Sequence, residues 1–170
     1  MLSVTQLRAI DPPWTLMPPL RVGRIPSGLG TADLFVTISD SEAPLLRVDV
    51  YADFGGYPFQ NAIVWHERVF LGICEVVYVI DPRTGTASEI RLESYFAAFY
   101  FHDEYLLVAS GQSLVRISGQ GQVLWRNTNL GLDGVVVKSV DGGRIQGAGE
   151  WDPPGGWRTF SIQLESGQAT

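Results

Sequence analysis

The chain has 170 residues, 45% of them hydrophobic and 18% charged, with a net charge of −6; this is a globular composition, long enough for one domain with a real core. Its twelve basic residues, a single lysine among them, form no stripe or cluster, which argues against nucleic acid and against a membrane surface as partners. No window nears the ~20 apolar residues of a membrane span, the first residues lack a signal-peptide pattern, and a lone cysteine, Cys74, excludes an internal disulfide, so a cytoplasmic protein is expected.

Along the chain, residues 1–19 read as an extended proline-rich arm, because "DPPWTLMPPL" offers neither alternation nor a free run of N–H donors. Residues 20–60 form an irregular first sheet with strands at 33–39 and 45–52. Strands then follow at 61–65, 68–74, 76–80 and 88–92, at 96–101, 104–110, 113–117 and 122–126, and at 134–140, 144–150 and 157–164. Each is a short apolar or alternating run rich in β-branched and aromatic residues, bounded by Gly, Asp, Asn or Ser, and helix signals are weak throughout. The expectation is a single all-β domain built of hairpins.

The runs repeat. "WHERVFLGICEVVYVIDPRTGTASEIRL" from Trp65 matches "FHDEYLLVASGQSLVRISGQGQVLWRN" from Phe101, with His66 and His102 separated by 36 residues and Ile80 and Ile117 by 37. A third copy, "VDGGRIQGAGEWDPPGGWRTFSIQLESG", places Ile162 at 45 residues from Ile117. The excess falls between its second and third strands, where "WDPPGG" enlarges a turn that is very short in the other copies. The repeats therefore span 61–92, 96–127 and 134–168, antiparallel four-stranded meanders of which the third shows only three strands.

The units "VYVIDPRTGTASEI" and "LVRISGQGQVLWRN" resemble the blade repeat of β-propellers, of the PQQ type and WD40-like, in which a strand is followed by a glycine turn and a strand that often ends in Trp. The resemblance covers about residues 61–168 and implies a small or incomplete propeller; it implies no quinone cofactor, since no residue matches a cofactor ligand. A β-sandwich is the alternative. The third copy lacks a fourth strand, and "LRVGRI" (20–25) is the candidate to supply it in a closed ring.

No catalytic motif is present: there is no P-loop, HExxH, CxxC or GxSxG. Cys74 ends an apolar run and reads as a buried, inert thiol. His66 and His102 sit in equivalent turns beside Glu67 and Asp103, but a metal needs a further ligand, so they read as turn residues and neither metal nor cofactor is expected. Asp81, Asp103, Asp141 and Asp152 occupy turns, where Asp bonds to nearby backbone. Alternate turns of a meander fall on opposite edges. One edge collects Glu67, Asp81, Asp103, Glu104, Asp141 and Glu165. The other carries the long links 93–95, 127–133 and 151–157, with Tyr95, Asn129, Asp133, Trp151, Asp152 and Trp157 as candidate binding residues. The competing reading is that Trp151 and Trp157 only close their hairpin.

The function expected is a non-catalytic binding protein that engages a protein partner, with an immunity-like role through the acidic edge as one version. The alternatives are a carbohydrate-binding or carbohydrate-acting protein using the aromatic and acidic loop face, and self-association through unpaired strand edges.

Overall fold

The computed structural model describes residues 1–53, 57 and 59–169; of the first-sheet segment 20–60, residues 54–56 and 58 lie outside the described residues. The chain is all-β, as its patterning predicts. Its first sheet holds β1 (Leu2–Leu7), β2 (Pro19–Gly23), β3 (Leu34–Asp40) and β4 (Ala43–Tyr51) in the order β1-β3-β4-β2, with β2 parallel to β4 and the other pairs antiparallel. The second is a meander of β5 (Gln60–Trp65), β6 (Arg68–Ile73), β7 (Val76–Asp81) and β8 (Thr86–Arg91). The third repeats it with β9 (Phe96–His102), β10 (Tyr105–Ser110), β11 (Leu114–Ile117) and β12 (Val123–Asn127). The fourth has three strands, β13 (Val135–Asp141), β14 (Arg144–Glu150) and β15 (Trp157–Gln163), and a single bridge from Ile162 to Ala169 begins a fourth.

The sheets stack face on face in chain order, which rules out a sandwich of two sheets. Strand β6 shows why. A strand points successive side chains to opposite faces, and both faces of β6 are covered. Val69, Leu71 and Ile73 pack towards Leu34, Val36, Val48 and Val50 of the first sheet, while Phe70 packs towards Phe96, Leu106 and Val108 of the third. Strand β10 does the same one sheet later, with Leu107 and Ala109 meeting Val135, Ile145 and Ile162. These two strands read as unbroken apolar runs because neither face meets water, and each fully buried side chain such as Phe70 contributes about 1.5–3 kcal/mol. In β14, by contrast, Ile145 is buried between exposed Arg144 and Gln146. Among the described residues no core cluster joins the first sheet to the fourth. The first strands of successive sheets, β1, β5, β9 and β13, lie next to one another.

Two expectations about the N-terminal region are corrected. Residues 2–7 are not part of an arm: β1 pairs with β3 along its whole length, and the terminal ammonium bonds Asp40 at 2.8 Å. Its sequence, LSVTQL, alternates with Leu2 buried and Ser3 exposed, which is a strand period that the nearby prolines obscured. The segment 20–25 does not complete the fourth sheet, because Pro19–Gly23 is the outer strand of the first. Pro19 sits at the start of that edge strand, where a missing N–H costs least. The far face of the first sheet carries Phe35 and Tyr51 beneath Leu7 and Ile10, and beside them Arg47 grips Asp49 through two nitrogens at 2.7 and 2.8 Å. Asp49 is buried and Arg47 largely so, and the bidentate geometry offsets the desolvation.

Candidate functional site

The long links all fall on one edge of the stack, as the meander register requires, and cross-sheet hydrogen bonds tie them. Tyr95, in the link from the second sheet to the third, donates its hydroxyl proton to the Asp133 carbonyl at 2.7 Å and lies 3.3 Å from the Asp133 carboxylate. Phe59 stacks on the same ring, with centroids 6.1 Å apart. Burial first, then the charge of Asp133, pushes the Tyr95 phenol above its ordinary range, so it stays a donor at neutral pH. The link 127–134 is held in turn against β14. The N–H of Leu132 donates to the Glu150 carbonyl at 2.6 Å, and the N–H of Glu150 to the Gly134 carbonyl at 2.9 Å. Gly149 is what allows this approach: a Cβ there would lie 1.6 Å from the Leu130 carbonyl oxygen.

The β14–β15 hairpin carries the two tryptophans, and they do different things. Trp157 pairs with Glu150 in register, and its ring lies across Gly134, where a Cβ would sit 3.0 Å from the indole. It nonetheless remains 47% exposed. Trp151 is half-buried, with the Arg158 guanidinium 5.8 Å over its ring, a cation–π contact that closes the hairpin. The turn is fastened by the Gly156 N–H donating to the Asp152 carbonyl at 2.9 Å and by the Gly155 N–H donating to the Glu150 carboxylate.

The structure thus brings Tyr95 and Asp133 together directly, and Trp157 and Glu150 adjoin them through Gly134. Trp151 belongs to the hairpin's own packing. The side chains of Asn129 and Asp152 are exposed and make no hydrogen bond among the described residues. Glu150 was missed, although counting back from the turn pairs it with Trp157. A second omission is the neighbouring cluster in which Glu93 accepts from Arg126 and from the Ser113 hydroxyl at 2.9 Å. Burial there works against the charged form, but the Arg126 and Ser113 hydrogen bonds outweigh it and hold Glu93 below its ordinary range.

On the opposite edge, the carboxylates are in good part matched by arginines. Glu67 pairs with Arg83 at 2.9 Å, Asp81 with Arg68 at 3.1 Å and Glu165 with Arg116 at 3.0 Å. Asp81 also accepts the N–H groups of Arg83 and Thr84, fastening its own turn. Asp103, Glu104 and Asp141 have no ion pair among the described residues. His66 turns its ring to the Asp103 carbonyl at 2.9 Å, and His102 stacks on Tyr105. Each has a local structural partner.

Cys74 differs from its expectation. It lies past the end of β6 in a turn, half-buried, with its sulfur 3.5 Å from the Asp53 carbonyl, and it lines a cleft of about 320 Å³ between the first and second sheets. Burial pushes the thiol's pKa up, and the carboxylates of Asp53 and Glu75 add to this.

No family model matches this chain, and no curated protein does. Among solved structures, it is similar to the crystal structure of a protein of unknown function from Bacteroides caccae. That likeness has a TM-score of 0.50 at 14% identity and covers 86% of this chain and 64% of the other. The chain therefore spans under two thirds of that structure's length, and the likeness is one of fold. No helix among the described residues is long and apolar enough to cross a membrane.

Proposed function

We propose that this chain is a non-catalytic binding protein whose sheets are the blades of a small, open propeller-like stack, and that the loop edge holds a protein partner. The adjacency of the four first strands supports the blade reading, because a shared inner strand position is how blades surround an axis. One observation carries the binding reading: Trp157, 47% exposed, is mounted beside Asp133 and Tyr95 on links from three different sheets that hydrogen bonds hold in place. A large aromatic ring on a preorganised frame loses little entropy on binding and is the usual centre of an interface hot spot. Three of the six carboxylates of the opposite edge, Glu67, Asp81 and Glu165, are already paired with arginines, which makes that edge the weaker candidate for an immunity-like role.

A photo-crosslinking residue placed at Leu132, itself 52% exposed, tests the reading in the source cell. The expected result is a heterologous protein adduct, whose purified complex weakens at least ~10-fold in Trp157→Ala. An adduct only with a second copy of this chain replaces the reading with self-association. Absence of any adduct, together with glycan binding that Trp157→Ala abolishes, replaces it with the carbohydrate reading, which the neighbouring Trp157 and Asp133 favour.

A further inference from the structure

The cleft between the outer strands of the first and second sheets lies apart from Trp157 and opens on the same edge. Its volume of about 320 Å³ is at the small end of the range for pockets that hold metabolites. Its lining comes from five strands and from the segments that follow β2, β4 and β6, so no stretch of sequence announces it.

Three features define what it would accept. First, Arg24 lies at one wall, and its guanidinium makes no hydrogen bond or ion pair among the described residues; the second arginine, Arg91, is engaged by Glu89 at 3.0 Å. An unengaged guanidinium facing a cleft is a carboxylate or phosphate receptor. Second, Glu75 and Glu89 line the same space, with Glu75 accepting the Tyr57 hydroxyl at 2.9 Å. Their charge would repel a phosphate but attract an ammonium group. Third, Tyr78 is only 8% exposed, and its hydroxyl has no hydrogen-bond partner among the described residues. The hydroxyl itself opens on the cleft, where it is free to bond a ligand. The Tyr57 and Tyr78 rings would flank the body of the ligand.

From this we infer that the cleft is a binding site for a free α-amino acid with an aromatic side chain. The carboxylate meets Arg24, the ammonium meets Glu75 or Glu89, and the ring lies against the tyrosines. A peptide terminus fails the match, because only a free amino acid carries both charges on one carbon.

The test uses the intact chain, with L-phenylalanine as probe and phenethylamine, 3-phenylpropionate and inorganic phosphate as controls, in calorimetry and in the rate of Cys74 alkylation by iodoacetamide. L-phenylalanine is expected to bind and to slow alkylation, and each control to bind at least ~10-fold more weakly. Arg24→Ala, whose side chain has no hydrogen-bond or ion-pair partner among the described residues, should keep its unfolding midpoint and lose ~10-fold or more in affinity. Trp157→Ala should bind L-phenylalanine unchanged, which separates this site from the loop edge. Absence of heat and of protection with L-phenylalanine overturns the inference, as does equal binding of any control or unaltered affinity in Arg24→Ala.

Discussion

The two edges of the stack are built from the same strands and end differently. On the turn edge, the turns close on their own backbone and reach the next sheet only through side chains, as His66 does to the Asp103 carbonyl and Arg116 to Glu165: Asp81 binds the N–H groups of its own turn, and Gly142 and Gly143 take positive φ with open space around them. On the loop edge, links close against their neighbours. Tyr95 reaches Asp133, Leu132 reaches Glu150, and Gly149 and Gly134 are small because something lies directly on them. A repeat can therefore keep the turns of one edge short and closed on their own backbone while the links of the other dock backbone to backbone into a continuous surface. That surface holds Trp157, and it is the edge on which a partner would find a rigid frame.

If that contrast is right, glycines on the two edges should differ in cost. Gly149→Ala puts a methyl group into the Leu130 carbonyl, a collision that backbone must move to relieve, and should lower stability by about 3 kcal/mol in urea unfolding. Gly142→Ala meets nothing and only strains a φ of +54°, which costs about 1–2 kcal/mol. Equal losses would show that the loop edge is no more tightly docked than the turn edge.

The two tryptophans sharpen the comparison at smaller scale. Trp151→Ala, which removes a half-buried ring and its Arg158 contact, should cost about 2 kcal/mol, below the full-burial range. Trp157→Ala should cost under ~1 kcal/mol, since nearly half of its surface already meets water. A reversed order by thermal or urea denaturation would make Trp157 the packing residue and remove the basis for its display.

The smallest effect expected is on pH dependence. Glu93 has a depressed pKa in the folded chain, so its contribution is present above the ordinary glutamate value of about 4.3 and is lost as pH falls through the folded value. Glu93→Gln should flatten the acid limb of the urea midpoint against pH and leave its shape near neutrality unchanged. An acid limb that stays as steep in the variant would show that other carboxylates carry it.

Much of this protein is determined locally. Residues 61–163 alternate or run apolar between turn formers, and the strands there, together with the opposite placing of short turns and long links, follow from side chains pointing to alternate faces. The repeat from Trp65 to Phe101 signals equivalent sheets for the same reason. Tertiary structure decided the rest. Strand β1 was hidden because its six residues gain their worth only by pairing with β3; the segment of β2 was read as a strand but assigned to the fourth sheet, because its parallel partner β4 lies more than twenty residues further along. Tyr95 and Asp133 stood among the candidates, but their bond joins residues 38 apart. The Arg24, Glu89 and Tyr78 cleft arises only when the outer strands of two sheets come face to face. Hydrophobic periodicity reports which side of a strand is buried; it carries no information about which other strand does the burying.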